Sequence, residues 1–238
     1  MKKAIYQTIT DQFDQWAGNY DRACTRGCSP CCTQNVTITA LEGEKILSYV
    51  RDNGLETWLA GKLGQPYSLN RPRMTTNQFA HACLNGREAD PRGNDSLSIC
   101  PFLEENICRI YPARPFACRC FISTVRCWAR QPAQISEHYL SASTAMMQLI
   151  EHLGQKEYWG NMTDVLLALC DISINAKIAE QLEDPSRIMQ ARLQTHSARP
   201  LPGFLFTEED EKKIQPLLAA IFTTAIDGKT VEDILNGK

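Results

Sequence analysis

The chain has 238 residues, of which 43% are apolar, and carries a net charge of −2 from 25 basic and 27 acidic side chains. That is enough apolar material for a core that needs no disulfides, and the charge gives no reason to expect nucleic acid or an anionic membrane as a partner. Composition departs from the ordinary in its eleven cysteines, four of which (Cys24, Cys28, Cys31 and Cys32) fall within nine positions.

The start, Met1-Lys2-Lys3-Ala4, has two lysines but meets Gln7, Thr8 and Asp11 before an apolar run of signal-peptide length can form. A cytoplasmic protein is expected. The longest apolar stretch, Leu217 to Ile226, is about half of the roughly 20 residues a membrane-spanning helix needs, so no membrane segment is expected. In a reducing cytosol disulfides are rare, and clustered thiols at short spacing read as metal ligands or catalytic groups.

Taken in order, Asp11 to Tyr20 places Phe13, Trp16 and Tyr20 at helical spacing as a packing face that leads into the cysteines. Thr39-Ala-Leu-Glu42 has the form of a capping box and predicts a helix to about Arg51, ended by Asn53-Gly54. A second short helix is expected over Leu55–Leu63. Residues 64–94, rich in Gly, Pro, Asn and Arg, read as irregular chain. Ser98 to Ile110 reads as a short β-hairpin, with Ile99, Phe102, Ile107 and Ile110 around Glu104-Glu105-Asn106. Tyr111-Pro112 and Arg114-Pro115 then hold the chain extended, which would present Cys108 and Cys118 from non-helical backbone.

Beyond Gln131 the pattern is helical. Ile135, Tyr139, Ala142, Met146, Leu149 and Leu153 mark one buried stripe, and a further helix is expected over Met162–Gln181 with Cys170 on its apolar ridge as a small hydrophobe. Thr207 with Asp210 can start another helix, which Pro216 is expected to break into a short piece and a helix over Pro216–Ile226. Ten of the eleven cysteines precede Gln131. The expected organisation is therefore a cysteine-cluster metal-binding domain over 1–131 and a helical domain over 132–238. The fold class expected is mainly α, with the cysteine-rich part irregular and containing the short hairpin.

Cys28 and Cys31 have the spacing at which two thiolates close on one metal, and such pairs recruit further ligands from elsewhere in the chain. Neighbouring side chains in extended backbone point to opposite faces, so Cys31 and Cys32 either serve different metals or one of them does not ligate. Cys24, Cys28, Cys31 and Cys32 with Cys100, Cys108 and Cys118 make seven candidate metal ligands. One tetrahedral site uses four, and the surplus points to two mononuclear sites or to a polynuclear centre.

The run Cys24 to Cys32, then Cys100-Pro-Phe-Leu, then Cys108-Arg-Ile-Tyr-Pro-Ala-Arg-Pro-Phe-Ala-Cys118-Arg, resembles the bacterial YkgJ-like cysteine-cluster family, described as a zinc- or iron-chelating domain. The resemblance covers roughly residues 20 to 123 and implies chelation by Cys28, Cys31, Cys32, Cys100, Cys108 and Cys118. Three residues separate Cys24 from Cys28 where the family commonly has two, so Cys24 departs from the pattern. An iron–sulfur cluster or zinc is the expected cofactor, since soft thiolates suit both.

Cys83, with His81 two residues before it, and Cys120 and Cys127 after the motif are further candidates; Cys118 and Cys120 would share one face of a short strand. Five arginines, Arg109, Arg114, Arg119, Arg126 and Arg130, lie between Asn106 and Ser136 without one acid. They read either as a solvated basic face or as donors that offset thiolate charge, and Arg114 alternatively as a cap on backbone carbonyls beside Pro115. Tyr111 can donate a hydrogen bond to a cluster sulfur.

Two other functions compete. Some larger proteins with a similar cluster are flagellin lysine methylases, which would imply S-adenosylmethionine as cosubstrate, although no Gly-rich loop after a clear strand is present to hold it. The metal can also be purely structural, with the carboxy-terminal helices forming a protein-interaction surface. His81, His138, His152 and His196 are scattered and name no catalytic base, so no catalytic residue is assigned.

Overall fold

The computed structural model describes residues 1–25, 27–65, 69–93, 98–128 and 131–238. In chain order its elements are α1 (Lys2–Ala17), β1 (Thr37–Thr39), α2 (Ala40–Asp52), α3 (Glu56–Leu63), α4 (Thr76–Leu84), β2 (Leu103–Glu104), β3 (Ile107–Cys108), α5 (Phe116–Cys120) and α6 (Glu137–Leu153). There follow β4 (Tyr158–Asn161), α7 (Met162–Leu169), α8 (Ala176–Ala179), α9 (Ser186–Gln194), β5 (His196–Ser197), α10 (Glu208–Thr223), β6 (Ala225–Ile226), β7 (Lys229–Thr230) and α11 (Val231–Leu235). The fold is mainly α. Its strands form one three-stranded antiparallel sheet, β1-β4-β5, and two hairpins of two-residue strands.

Two apolar cores hold the helices. In the first, Ile46, Leu47 and Val50 of α2 and Leu59 and Leu63 of α3 meet Val165, Leu166 and Leu169 of α7, with Phe102 and Ile110 closing one side. In the second, Ile5, Ile9 and Phe13 of α1 pack with Tyr139, Met146 and Leu149 of α6 and Ile214, Leu217 and Ile221 of α10, joined by Phe116 of α5. Each such side chain contributes roughly 1.5–3 kcal/mol by leaving water. Both cores draw residues from either side of Gln131. Gly43 lets α2 approach α7 closely, since a Cβ there would lie 2.5 Å from Leu169 Cδ1. Among the described residues no helix is long and apolar enough to cross a membrane.

Several expectations hold: the Thr39/Glu42 capping box starts α2, Asn53 ends it with Gly54 at φ +63, and the stripe from Tyr139 to Leu153 is buried in α6. The hairpin at 98–110 forms, with Glu105 and Asn106 at positive φ in its turn. Others are corrected. The helix leading to the cysteines begins at Lys2. Part of the stretch 64–94, expected to be irregular, is α4; its start is a second capping box, in which Thr75 Oγ1 accepts from Gln78 N and Gln78 Oε1 from Thr75 N. Residues 66–68 and 94 of that stretch lie outside the described residues.

The helix expected over 162–181 stops at Leu169, because the buried Asn175 side chain donates to the Leu169 carbonyl (2.9 Å) and takes over an acceptor left open at the helix end. Cys170 is nevertheless buried, as expected, while Ile174 faces solvent. Pro216 sits inside a continuous α10. A proline there costs about 3 kcal/mol, and the Thr207/Asp210 capping box with buried Ile214, Leu217 and Ile221 on either side carries the helix through it.

Candidate metal centre

The first cysteine segment is tied at both ends. Ala23 N donates to Ser123 O (2.8 Å), which lays the start of the segment beside the stretch that leads to Cys127. At the other end Cys100 N donates to Cys32 O (2.9 Å), Gln34 N donates to Ser98 O (3.0 Å) and Thr33 pairs with Ile99. Asn161, at the end of β4, holds this end to the frame by donating to Gln34 O (2.6 Å) and Asn70 O (3.0 Å). Between the ends the chain turns twice, with Cys28 N donating to Thr25 O and Cys32 N to Ser29 O. Gly27, at φ +86, takes a conformation that L side chains resist. Ser29 Oγ also reaches Asn106 Oδ1 at the hairpin tip (2.9 Å).

The hairpin carries the next two thiols. Leu103 N turns back to Cys100 O (3.1 Å), Leu103 pairs with Cys108, and Arg109 N donates to Phe102 O (2.9 Å), with the fully buried Phe102 as the apolar anchor. Cys118 comes from α5. This corrects the expectation of non-helical backbone for Cys118, while Cys108 is indeed on a strand; Tyr111–Ala113 between them is a 3₁₀ turn. The reason lies in α2: Glu42 Oε1 accepts from Phe116 N (2.8 Å), capping α5, while its Oε2 accepts from Thr39 N (3.0 Å). One buried carboxylate thus fixes two helix starts, and burial raises its pKa above the ordinary carboxylate value.

On that helix Cys118 and Cys120 do not share a face, as they would on a strand. Cys120 turns into the second core, where its thiol donates to Ala117 O and burial pushes its pKa up to about 12. Cys118 joins neither core, and burial, with the charges of Cys100 and Cys108 adding to it, raises it well above the ordinary value. Burial lifts Cys100 to about 11, with Cys108 adding to it. Cys108 is raised by burial and partly relieved by the Arg114 guanidinium. Cys32 lies in the field of Cys100, Cys108 and Cys118, and is lowered because the Cys31 thiol hydrogen-bonds to it; the same hydrogen bond raises Cys31. Cys28 is raised by burial and by the charges of Cys24, Cys31 and Cys127.

The segments carrying the seven thiols expected as ligands are thus tied to one another, Cys32 to Cys100 through the backbone and Cys108 to Cys100 through the hairpin. Cys127, held near by the Ser123–Val125 turn, joins them. Cys83 and His81 lie apart on α4, and among the described residues Cys83 is the one thiol that lines an open groove with Phe79, Arg87 and Asp90. Cys170 and Cys120 belong to the cores. Of the arginines, Arg119 pairs with Asp14 (2.6 Å) and Arg109 with Glu104 (3.5 Å). Arg114 stacks over Tyr111 (3.8 Å) and donates to Tyr111 O (3.4 Å), so it acts as a carbonyl cap and also reaches the Cys108 thiol electrostatically. Arg130 lies outside the described residues.

Among the described residues no three His, Cys, Asp or Glu side chains stand in an array that could hold a metal ion as they are. Four thiolates on one ion, each at about 2.3 Å, must approach one another to about 3.8 Å, a demand that protonated thiols do not face. The donor set itself is all sulfur, which suits a thiophilic metal whose binding drives the protons off. Sequence reasoning missed Glu42 as the residue that positions Cys118; its only signal was the capping box, which says nothing about the second oxygen. No family model, characterised protein or solved structure matches the chain.

Proposed function

We propose that this chain is a metal-binding protein that holds an iron–sulfur cluster or zinc through the thiolates of Cys24, Cys28, Cys31, Cys32, Cys100, Cys108 and Cys118. The observation that carries the reading is the meeting of Cys32, Cys100, Cys108 and Cys118, which come from a turn, a loop, a strand and a helix start, within one another's electrostatic reach. Neutral thiols can gather in a partly buried place, but ionising several of them there is costly, and a cation is what makes that ionisation favourable. The resemblance of the cysteine spacing to the YkgJ-like family points the same way. A reducing compartment is part of the proposal, because these thiols must stay free to ligate.

This chain's own residues supply the donors, hold them from four separate elements, and set Arg114 beside Cys108 to offset charge. When bound, iron–sulfur would supply electron transfer and zinc a closed structural clamp. Metal and sulfide analysis of protein purified without oxygen tests the reading. Stoichiometric iron and sulfide with visible charge-transfer absorbance identify a cluster, and stoichiometric zinc in colourless protein identifies the clamp. Protein that carries neither metal, and takes up neither under reducing conditions, overturns it.

A further inference from the structure

We infer that this chain pairs with a second copy of itself through the outward face of α9, the two copies being related by a two-fold axis. The inference does not depend on metal, and its test stands whether or not the thiols carry any.

α9 packs one face on α7 and the first core, with Ala191 2% exposed and Ile188 against the same core, and turns the other face to water. The residues of α9 that face solvent are Ser186, Met189, Gln190, Leu193 and Gln194, which recur at helical spacing and so form one continuous stripe. An outer helix face ordinarily carries charge, and this one carries none. Along it stand two large apolar side chains one turn apart, Met189 at 57% and Leu193 at 78% exposure, and Leu193 is the most exposed large hydrophobic residue among those described. An apolar patch edged by polar residues marks an interaction site.

The two arginines of α9 lie off the stripe and are engaged. Arg187 donates to Gln65 O (2.7 Å), and Arg192 pairs with Asp171 (2.7 Å). Asp171 follows the end of α7, in a link where Ile172 and Ile174 are also exposed, so the ion pair joins further apolar surface to the border of the stripe. Both partners keep exposed side-chain area, 38% for Arg192 and 55% for Asp171, and can take a second partner from outside.

Charge selects the occupant. A strongly acidic or basic partner finds no counter-charge on the stripe, whereas two copies brought face to face meet neutral side chains and no repulsion. The border offers one charge of each sign. In an isologous interface residue i meets residue j and j meets i, so each Arg192 comes to the Asp171 of the other copy. Withdrawal of Met189 and Leu193 from water supplies the driving force, and methionine adapts its shape to the facing surface.

Sedimentation velocity on the full-length chain over a range of concentrations reads the pairing, in reducing buffer so that no intermolecular disulfide imitates it. The mass should rise from 26.8 kDa toward twice that value as concentration increases. Leu193→Glu, at a position already in water, should keep the wild-type unfolding midpoint and stay at the monomer mass. Asp171→Arg and Arg192→Asp should each weaken pairing about tenfold or more through like-charge contact. An equimolar mixture of those two variants should recover it, because opposite charges then meet across the axis; an ion pair that matters only within one chain gives no such rescue. A wild type that stays at the monomer mass throughout, a Leu193→Glu protein that still doubles, or a mixture that pairs no better than either variant alone would each overturn the inference. Metal content of the same samples bears on the functional reading and not on this one.

Discussion

The helical frame and the sulfur-bearing segments of this protein are held by different forces. In the frame, side chains such as Leu47, Leu149, Val165 and Ile214 are fully withdrawn from water. Helix starts are closed by capping boxes at Thr39, Thr75 and Thr207, and half-buried polar ties such as Arg71–Asp164 (2.8 and 3.1 Å) lock helices to loops. In the sulfur-bearing segments the large apolar residues beside the cysteines face solvent: Ile99 is 68% exposed and Trp128 62%, with Ile107 and Phe121 also outside. Hydrophobic burial there is confined to Phe102, Ile110, Phe116 and Ile122, which reach into the two cores. Two-residue strands, two isolated bridges and the anchors Phe102 and Phe116 do the holding.

The comparison breaks most severely in the frame. Leu149→Ala removes a side chain with no exposed area from the second core, and is expected to cost about 2–5 kcal/mol in urea or guanidinium unfolding. Because α1, α6 and α10 share that core with Phe116, loss of less than about 1 kcal/mol would mean that the frame is not the source of stability.

A polar tie in the frame gives a smaller effect with a pH signature. Glu151 of α6, fully buried, accepts from Asn77 N through Oε2 and from Arg199 N through Oε1, both at 2.9 Å. Burial raises its pKa above the ordinary carboxylate value, outweighing these hydrogen bonds and that of Thr75. A folded-state value above the unfolded one means that its contribution is complete below the unfolded carboxylate value and is lost as pH rises through the folded one. Glu151→Gln does not titrate, and turns an NH₂ toward one of two backbone donors at a cost of about 1–3 kcal/mol. The wild type's advantage over the variant should be greatest at acid pH and narrow as pH rises, measured by unfolding across the carboxylate range. An advantage that widens instead would show that the two N–H donors outweigh burial.

The same division explains what could be read from the sequence. Frame elements announce themselves through local rules: Thr39-x-x-Glu42 and the Tyr139–Leu153 spacing need no knowledge of the rest of the chain. Where tertiary contacts decide, local rules fail. Asn175 ends α7 by reaching back six residues, packing carries α10 through Pro216, and Glu42 makes a helix of the segment that carries Cys118. The candidate ligands were legible as a list because thiol spacing is a chemical signal. Their placement was not, since the segments that carry Cys24 and Cys32 are held by contacts such as Ala23–Ser123 and Cys32–Cys100 across 100 and 68 positions. Spacing alone makes Cys127 and Cys120 equals, yet Cys120 enters a core while the charge of Cys127 falls on Cys28.

The smallest effect on stability is the sharpest on the comparison, because it uses one residue type in both regions. Cys170 is 2% exposed, its thiol donates to Leu166 O (3.3 Å), and burial pushes its pKa up to about 12. It behaves as a small apolar group, so Cys170→Ala should cost about 1 kcal/mol for the lost volume and leave bound metal unchanged. Cys100 is only partly buried, and Cys100→Ala in the metal-free chain should cost less than that. In the metal-loaded chain the order reverses, because the Cys100 variant forfeits a ligand and with it the stabilisation that binding confers on the folded state, about 2.7 kcal/mol when free metal is at 100 times its Kd. Paired unfolding curves with and without metal, read beside metal content, give that crossing directly. If Cys170→Ala loses metal, or if Cys100→Ala ranks below Cys170→Ala in both states, the thiols of the core and those of the sulfur-rich region are not the two populations that their surroundings make them.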